Sequence, residues 1–208
     1  MRIQLPKLYP ITDARLTGLS HAEQVRRLSA GGATLIQLRE KQKEAREFYR
    51  EAEEALRVAR SLGVRLIIND RVDIALALRA DGAHLGQDDL SPEFAREILG
   101  EPSLLGFSTH SVEQAIAAAR LPVDYIAIGP IFETLSKENP DPVVGLDGLR
   151  RVKQAVGRVP LVAIGGIGRA QIGEVFAAGA DSIAVINLLL AGEPARIEAR
   201  TREVLASI

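Results

Sequence analysis

Polar side chains suited to phosphate and metal binding follow several short apolar segments of this 208-residue chain. Gln37, Arg39 and Lys41 lie two residues apart, so the alternation of a strand places them on one face, with Ile36 and Leu38 on the other. Guanidinium and ammonium groups in such a row bind phosphate oxygens. The same pattern is also typical of a strand that ends in a solvated charged loop.

Two carboxylates hold comparable positions after the next two apolar segments. Asn69 and Asp70 follow the segment that ends at Ile68, and Asp89 follows the one that ends at Leu85. One interpretation is that each acid favours the start of the following helix. The other is that the two carboxylates share Mg²⁺, which proteins usually hold with one or two carboxylates plus substrate phosphates and water. The pair therefore predicts a site for a metal-bound polyphosphate.

Hydroxyl groups, a histidine and a lysine follow the fifth and sixth segments. Ser108 and His110 precede a predicted helix, where His110 is either an acid or base near neutral pH or a structural residue. A long loop then offers Thr134, Ser136 and Lys137, which suit phosphate binding but are also typical of a solvated loop. Loops of this length in small domains are usually functional, and we expect this one to close over a substrate.

Potential backbone phosphate donors follow the last two apolar segments. Gly165 and Gly166 end the seventh segment, and Ile186 and Asn187 follow the eighth, just before a short apolar helix. Backbone N–H groups at these positions form the recurrent phosphate site of (β/α)8 barrels. The glycine pair is also compatible with a simple tight turn.

The elements that must position these residues alternate along the chain as short strands and amphipathic helices. Eight strands are predicted, at Leu8–Thr12, Ala33–Leu38, Arg65–Ile68, Gly82–Leu85, Leu104–Phe107, Tyr125–Ile128, Leu161–Ile164 and Ser182–Val185. Ser20, Ser91 and Ser111 are predicted helix caps. Eight such units in a chain of this length predict a small (β/α)8 TIM barrel, a single domain over 1–208, with an open doubly wound sheet as the alternative.

Composition excludes several other classes of protein. Hydrophobic residues are 47% of the chain and charged residues 25%, with 26 Lys and Arg against 27 Asp and Glu, which is typical of a globular domain. A net charge of −1 argues against nucleic-acid binding. The absence of cysteine excludes disulfides and thiolate chemistry. No signal segment or membrane span is evident, so we expect a cytoplasmic protein.

Two phosphate-binding regions at one barrel mouth predict two phosphorylated substrates. If one of them carries pyrophosphate on Mg²⁺, its departure is the expected reaction, with Arg39, Lys41 and Lys137 stabilising the charge that develops. The second substrate then supplies the nucleophile. The residues alone do not identify the organic groups.

The motifs, taken together, resemble one known family. The segments that carry the resemblance are QLREK at 37–41, IINDRVDIALAL at 67–78, ADGAHLGQDD at 80–89, GFSTHS at 106–111, GPIFETLSKENPDPVVGLDGL at 129–149, AIGGI at 163–167 and AGADSIAVI at 178–186. In this order, over nearly the whole chain, they are similar to thiamine phosphate synthase. Each fragment alone is a weak signal, and their combination is specific.

The resemblance implies that hydroxymethylpyrimidine diphosphate is joined to a thiazole phosphate, with release of pyrophosphate, by a homodimer. It implies a dissociative mechanism, in which the diphosphate leaves first and the thiazole nitrogen captures a pyrimidine methylene cation. It assigns the pyrimidine diphosphate to Gln37, Arg39, Lys41, Asn69 and Lys137, Mg²⁺ to Asp70 and Asp89, and the departing pyrophosphate to Ser108. It assigns the thiazole phosphate to Thr134, Ser136, Gly166, Ile186 and Asn187.

The chain departs from the family pattern at three positions. Asn187 stands where Ser is common, Gln171 where Asn often follows the glycine motif, and Ser136 where Thr is more usual. Two alternatives remain. A related thiazole tautomerase would use His110 to aromatise the thiazole phosphate, and a non-catalytic barrel would bind the same precursors and act through a partner protein. The diphosphate and metal residues favour the synthase over both.

Overall fold

Eight parallel strands form one sheet in a computed structural model that describes residues 4–134 and 141–208. The strands are β1 (Leu8–Pro10), β2 (Leu35–Leu38), β3 (Arg65–Asn69), β4 (Gly82–Leu85), β5 (Leu104–Thr109), β6 (Tyr125–Ile128), β7 (Leu161–Ile164) and β8 (Ser182–Val185). Each strand from β2 to β8 pairs with the next, and β8 pairs with β1. A parallel bridge between Ile11 and Gln37 joins the ends of β1 and β2. The predicted (β/α)8 barrel is therefore confirmed, and the open doubly wound sheet is wrong.

Helices follow the strands along the chain. They are α1 (Ala14–Thr17), α2 (His21–Ala30), α3 (Ala45–Ser61), α4 (Val72–Leu78), α5 (Pro92–Leu99), α6 (Val112–Ala118), α7 (Gly145–Val156), α8 (Ile172–Ala177), α9 (Asn187–Leu190) and α10 (Ile197–Leu205). The predicted caps are confirmed, because the hydroxyls of Ser20, Ser91 and Ser111 accept hydrogen bonds from the backbone N–H three residues on. Among the described residues, none of the helices combines the length and the apolarity that a bilayer span requires.

Apolar side chains form two layers, one inside the barrel and one between the sheet and the helices. The inner layer includes Tyr9, Leu35, Ile67, Tyr125 and Val162. The outer layer includes Ile36, Leu38 and the helical stripe of Phe48, Ala52, Leu56 and Ala59. Alternate residues of each strand therefore face opposite layers, as the two-residue period predicts.

Three aspartates cross-link the strands at the end of the barrel opposite the candidate site. Asp81, Asp124 and Asp181 each precede a strand and accept a hydrogen bond from a backbone N–H of the preceding strand, at 2.8, 2.7 and 2.8 Å. These bonds satisfy N–H groups at the strand starts. Carboxylates at this end therefore stabilise the barrel, whereas those at the other end are available for chemistry.

Candidate active site

A cavity of about 960 Å³ opens where the strands end at their carboxyl termini. Predicted site residues that line it are Gln37, Arg39, Lys41, Asn69, Asp70, Asp89, Ser108, Thr134, Gly166, Ile186 and Asn187. His110 lines it as well. The predicted Ser136 and Lys137 lie outside the described residues, as does most of the predicted long loop. Barrel closure thus brings together residues from seven different strand ends.

The end of β2 carries the cationic side of the cavity. Gln37 is buried in the barrel, and its amide donates a hydrogen bond to the Tyr9 hydroxyl at 3.2 Å. The Arg39 guanidinium lies 3.8 Å from the Asp13 carboxylate. The Lys41 ammonium donates a hydrogen bond to the Asp70 carboxylate. Gln37, Arg39 and Lys41 all face the cavity, so this part of the sequence prediction is confirmed in its geometry.

A buried cluster behind these residues supports the segment that carries them. The Thr12 hydroxyl accepts a hydrogen bond from the Arg39 N–H at 3.2 Å and lies 2.8 Å from His21 Nδ1. His21 Nε2 is 3.4 Å from Glu40, whose carboxylate also accepts bonds from the N–H groups of the next two residues. Burial lowers the pKa of His21, which favours its neutral form. The cluster therefore fixes the backbone that presents Arg39 and Lys41.

The same cluster is the one group of three potential metal ligands within the described part of the chain. It comprises His21, Glu40 and Glu51, whose ligand atoms lie within 4.8 Å of one another. The ammonium of Lys43 already contacts Glu51 and offsets its charge. Because a lysine supplies the positive charge here, the geometry favours a structural role for this cluster over metal binding.

Asp70 and Asp89 lie side by side at the mouth and do not cap helices. The residue that precedes α4 is Arg71, and the residue that caps α5 is Ser91. Asp70 has a φ of 62°, a left-handed conformation that costs a non-glycine residue about 1–3 kcal/mol. The interpretation of the two acids as helix caps is therefore wrong. Backbone strain of this kind is typical of functional sites.

The electrostatics of this pair suit a cation. The pKa of Asp70 is raised, first because burial disfavours its charge and also because Asp89 is a like-charged neighbour, while Lys41 opposes the shift. Asp89 accepts a hydrogen bond from the Gly86 N–H at 2.7 Å, which holds its carboxylate beside the cavity. Two adjacent carboxylates, one of them on a strained backbone, form an oxygen donor set that fits Mg²⁺.

Ser108 ends a buried hydrogen-bond chain that the sequence prediction missed. The Tyr9 and Tyr125 hydroxyls are 2.9 Å apart, Tyr125 Oη is 3.0 Å from His84 Nδ1, and His84 Nε2 is 2.8 Å from Ser108 Oγ. Together with Gln37 these four residues form what we call the buried hydrogen-bond chain. Burial lowers the pKa of His84 to about 4, so its ring is neutral at pH 7. Polar side chains at inward positions of predicted strands were the signal that could have identified Tyr9, His84 and Tyr125.

His110 has partners that could not be seen in the sequence. Its Nδ1 lies 2.8 Å from the carbonyl oxygen of Gly129 and 3.4 Å from the Asp141 carboxylate. The neutral ring with hydrogen on Nδ1 donates to that carbonyl and leaves Nε2 as an acceptor. His110 is therefore held at the cavity wall by the loop that follows β6.

Gly165 and Gly166 bring the ends of β6 and β7 into close contact. Their φ values are 95° and 67°, which side chains rarely adopt. A Cβ on Gly165 would lie 2.6 Å from Pro130, and one on Gly166 would lie 2.3 Å from the Glu133 carbonyl oxygen. The geometry is compatible with both interpretations of the pair, a tight turn and part of a phosphate site. The glycines form a tight turn, and that turn lines the cavity.

The family model described as thiamine monophosphate synthase matches residues 8–189, which spans every strand-end residue described above. The chain belongs to the thiamine monophosphate synthase family.

Named relatives agree with this family across almost the full chain. The thiamine-phosphate synthase of Koribacter versatilis is 51% identical over 195 residues, which cover 90% of each chain. That of Chloroflexus aurantiacus is 44% identical over 203 residues, 97% of this chain and 93% of the relative. The solved thiamine phosphate pyrophosphorylase of Pyrococcus furiosus superposes with a TM-score of 0.86 at 37% identity, covering 97% and 94% of the two chains.

Two departures from the family's residue pattern have different surroundings. Asn187 lines the cavity as the first residue of α9, and the preceding Ile186 makes no side-chain cap bond to that helix. Gln171 belongs to a short 3-10 turn before α8 and is not among the residues that line the cavity. Among the described residues, Asn187 is therefore the one of these departures that lines the cavity.

Proposed function

We propose that this chain joins hydroxymethylpyrimidine diphosphate to a thiazole phosphate, giving thiamine phosphate and pyrophosphate. The observation that carries the proposal is one cavity with two different anion-binding sides. Cations and paired carboxylates lie at the ends of β2 to β4, and a glycine turn and a helix start lie at the ends of β7 and β8. Two phosphorylated substrates can therefore meet in it.

The cationic side is assigned to the pyrimidine diphosphate. Arg39 and Lys41 face the cavity, and Lys137, outside the described residues, is the third expected cation. Cations fixed before the reaction stabilise the negative charge that develops on a departing diphosphate. Gln37 and Asn69 supply amide groups from the same side, both from nearly buried positions. These amides suit the heteroatoms of a pyrimidine ring.

Asp70 and Asp89 are assigned to Mg²⁺. Their adjacency and the raised pKa of Asp70 support a site that gains stability when a divalent cation enters. When bound, Mg²⁺ supplies charge neutralisation and orientation of phosphate oxygens. The Lys41 ammonium, which now contacts Asp70, is positioned to turn to a substrate phosphate.

The glycine side is assigned to the thiazole phosphate. Gly166 lines the cavity after β7, and Ile186 and Asn187 line it at the start of α9, where the first N–H groups of a helix have no partner within the helix. Thr134 adds a hydroxyl from the loop after β6, and Ser136 is the expected second hydroxyl. Backbone donors of this kind bind phosphate without a cationic side chain.

The reaction needs no protein nucleophile. The bond between the pyrimidine methylene carbon and the diphosphate oxygen breaks, and its electron pair leaves with the pyrophosphate. The thiazole nitrogen then donates its lone pair to the methylene cation and forms the new C–N bond. The protein binds both substrates, excludes water between them, and stabilises the pyrophosphate with Arg39, Lys41 and the hydroxyl of Ser108.

Pyrophosphate release by the purified chain tests the proposal. We expect release only when both precursors and Mg²⁺ are present, and none after EDTA. Aromatisation of the thiazole phosphate alone would instead assign the activity to His110 and make the chain a tautomerase. Binding of both precursors without turnover would favour a non-catalytic barrel. The cytoplasmic location, the homodimer and the single domain over 1–208 remain predictions.

A further inference from the structure

The buried hydrogen-bond chain has a direction that its hydrogens determine. The Gln37 amide donates to Tyr9 Oη, so the Tyr9 hydrogen is free to be donated onward to Tyr125. Tyr125 then has one hydrogen, and its remaining neighbour in the chain is His84 Nδ1. Because the neutral imidazole carries a single N–H, an accepting Nδ1 places the hydrogen on Nε2. His84 Nε2 therefore donates to Ser108 Oγ.

With the Gln37 amide nitrogen toward Tyr9 Oη, the opposite direction leaves a hydrogen without an acceptor. If Ser108 donated to His84, then His84 would donate to Tyr125 and Tyr125 to Tyr9. Tyr9 Oη would accept from both Tyr125 and Gln37, and no other described hydrogen bond would take its own hydrogen. Tyr9 is 1% exposed, so water does not readily replace that acceptor. The first direction leaves only the Ser108 hydrogen, and Ser108 is the one member of this chain of residues that is partly exposed at the cavity.

We infer that Tyr125 and His84 are positioning residues that hold the Ser108 hydroxyl as a hydrogen-bond donor toward the departing diphosphate. This inference rests on the proposed function and deepens it. Ser108 accepts from His84 on one side, so its hydrogen is directed into the cavity, where only acceptors such as phosphate oxygens bind it well. Ser108 touches the substrate, and Tyr125 and His84 act through it.

The packing around Tyr125 leaves space for its contact with His84. Gly106 pairs with both His84 and Tyr125 in the strand register. A Cβ at this position would lie 2.1 Å from Tyr125 Cζ and 2.5 Å from His84 Nδ1. The Tyr125 and His84 rings are stacked, with centroids 5.5 Å apart. Only glycine leaves room for the hydroxyl and the imidazole to meet here.

A double-mutant cycle tests the inference through kinetics. Ser108→Ala should lower kcat on the order of tenfold to a hundredfold, the value of one hydrogen bond to a charged group. Tyr125→Phe should lower kcat in the same direction, because His84 Nδ1 loses its donor, with little change in KM for the thiazole phosphate. In the Ser108→Ala background, Tyr125→Phe should have no further effect. Additive losses, or a wild-type rate in Tyr125→Phe, would overturn the inference.

Tyr49→Phe is the matched control for loss of a tyrosine hydroxyl. Tyr49 lies on the outer helix α3, away from the cavity-lining residues, and the chain has only three tyrosines. We expect this variant to keep the wild-type rate. A loss equal to that of Tyr125→Phe would show that hydroxyl removal acts through general destabilisation, and the inference would fail.

Nitrogen NMR of the wild-type chain tests the direction without any need for a variant to fold. The chain has only three histidines, so labelled ring nitrogens give a simple spectrum. We expect His84 as the Nε2–H tautomer, with Nδ1 as the acceptor. Hydrogen on Nδ1 would mean that Ser108 donates to His84 and would overturn the inference. In Tyr125→Phe we expect both tautomers, and retention of the pure Nε2–H form would also overturn it.

Failure of the inference differs from failure of the proposed function. If the wild type does not release pyrophosphate from the two precursors, the proposed function fails. If the wild type is active and Tyr125→Phe matches it, the function stands and only the positioning role is removed.

Discussion

The ammonium of Lys41 and the carboxylate of Asp70 form an ion pair that joins the ends of β2 and β3 across the cavity mouth. A substrate phosphate and a divalent cation would each compete for one partner of this pair. The arrangement therefore keeps a cation and an anion in place until ligands of the opposite sign arrive. It also gives each partner a separate testable role.

Replacement of Lys41 should affect the diphosphate and leave the fold unchanged. We expect Lys41→Gln to lower kcat/KM for the pyrimidine diphosphate about a hundredfold, because a charge-stabilising donor is lost. Lys7→Gln is the matched control, since Lys7 precedes β1, its ammonium lies over the Phe176 ring, and it is not among the cavity-lining residues. Steady-state kinetics with the second substrate saturating measures the effect. Equal losses in the two variants would contradict the assignment of Lys41.

Replacement of Asp89 should remove the dependence on Mg²⁺. Asp89→Ala is expected to abolish Mg²⁺-dependent turnover while the thermal unfolding temperature stays near that of the wild type. Asp89→Asn keeps an oxygen that can accept from the Gly86 N–H, so it separates loss of charge from loss of that loop contact. Asp73→Asn, an exposed acid paired with Arg71, is the control. A wild-type Mg²⁺ titration in Asp89→Ala would remove the metal assignment.

A methyl group on Gly166 should disturb the glycine turn. Gly166→Ala forces a side chain at a φ of 67° and against the Glu133 carbonyl oxygen. We expect it to lower the free energy of unfolding by more than about 1 kcal/mol and to raise KM for the thiazole phosphate. Gly173→Ala is the control, because its Cβ would meet nothing within 4 Å and it lies inside α8. That variant should be neutral or stabilising. If Gly166→Ala had a normal KM, the phosphate assignment would be wrong.

The buried histidine behind the cationic segment should make stability depend on pH. Burial lowers the pKa of His21 in the folded chain, so as pH falls below the ordinary value near 6.5 the unfolded chain binds the proton first. Its contribution to stability is therefore complete above pH 6.5 and declines below it. Glu40 and Glu51 face the ring and oppose the shift, and Lys43 adds to it.

Urea unfolding from about pH 8 to about pH 5 measures this contribution. We expect the wild type to lose more stability over that range than His21→Gln, which has no titrating ring. If the free energy of unfolding changed equally with pH in the two proteins, His21 would not titrate differently in the folded and unfolded chains. Burial opposes the shift, but the Gln42 N–H and His21 lower the pKa of the Glu40 carboxylate in the folded chain, so its contribution falls at lower pH and is smaller in His21→Gln.

Sequence patterns predicted the order of the strands and the residues at their ends because those properties are local. Strand alternation alone places Gln37, Arg39 and Lys41 on one face, and the structure has them there. The observed strand limits differ from the predicted ones by a few residues. β2 begins at Leu35 and β5 extends to Thr109, because pairing with a neighbouring strand decides where each strand begins and ends. The interpretation of Asp70 and Asp89 as helix caps was wrong because capping depends on backbone angles that composition does not reveal.

By itself, the sequence determined eight alternating strand and helix units, the polar residues at the strand ends and the resemblance to thiamine phosphate synthase, and it left open whether the sheet closes into a barrel. Only the tertiary structure decided which distant side chains meet inside it. Tyr9 and Tyr125 share a hydrogen bond across 116 residues, and His84 joins Tyr125 across 41. Such contacts arise because barrel closure brings inward-facing positions of separate strands within hydrogen-bond distance, and no local period in the chain encodes that closure.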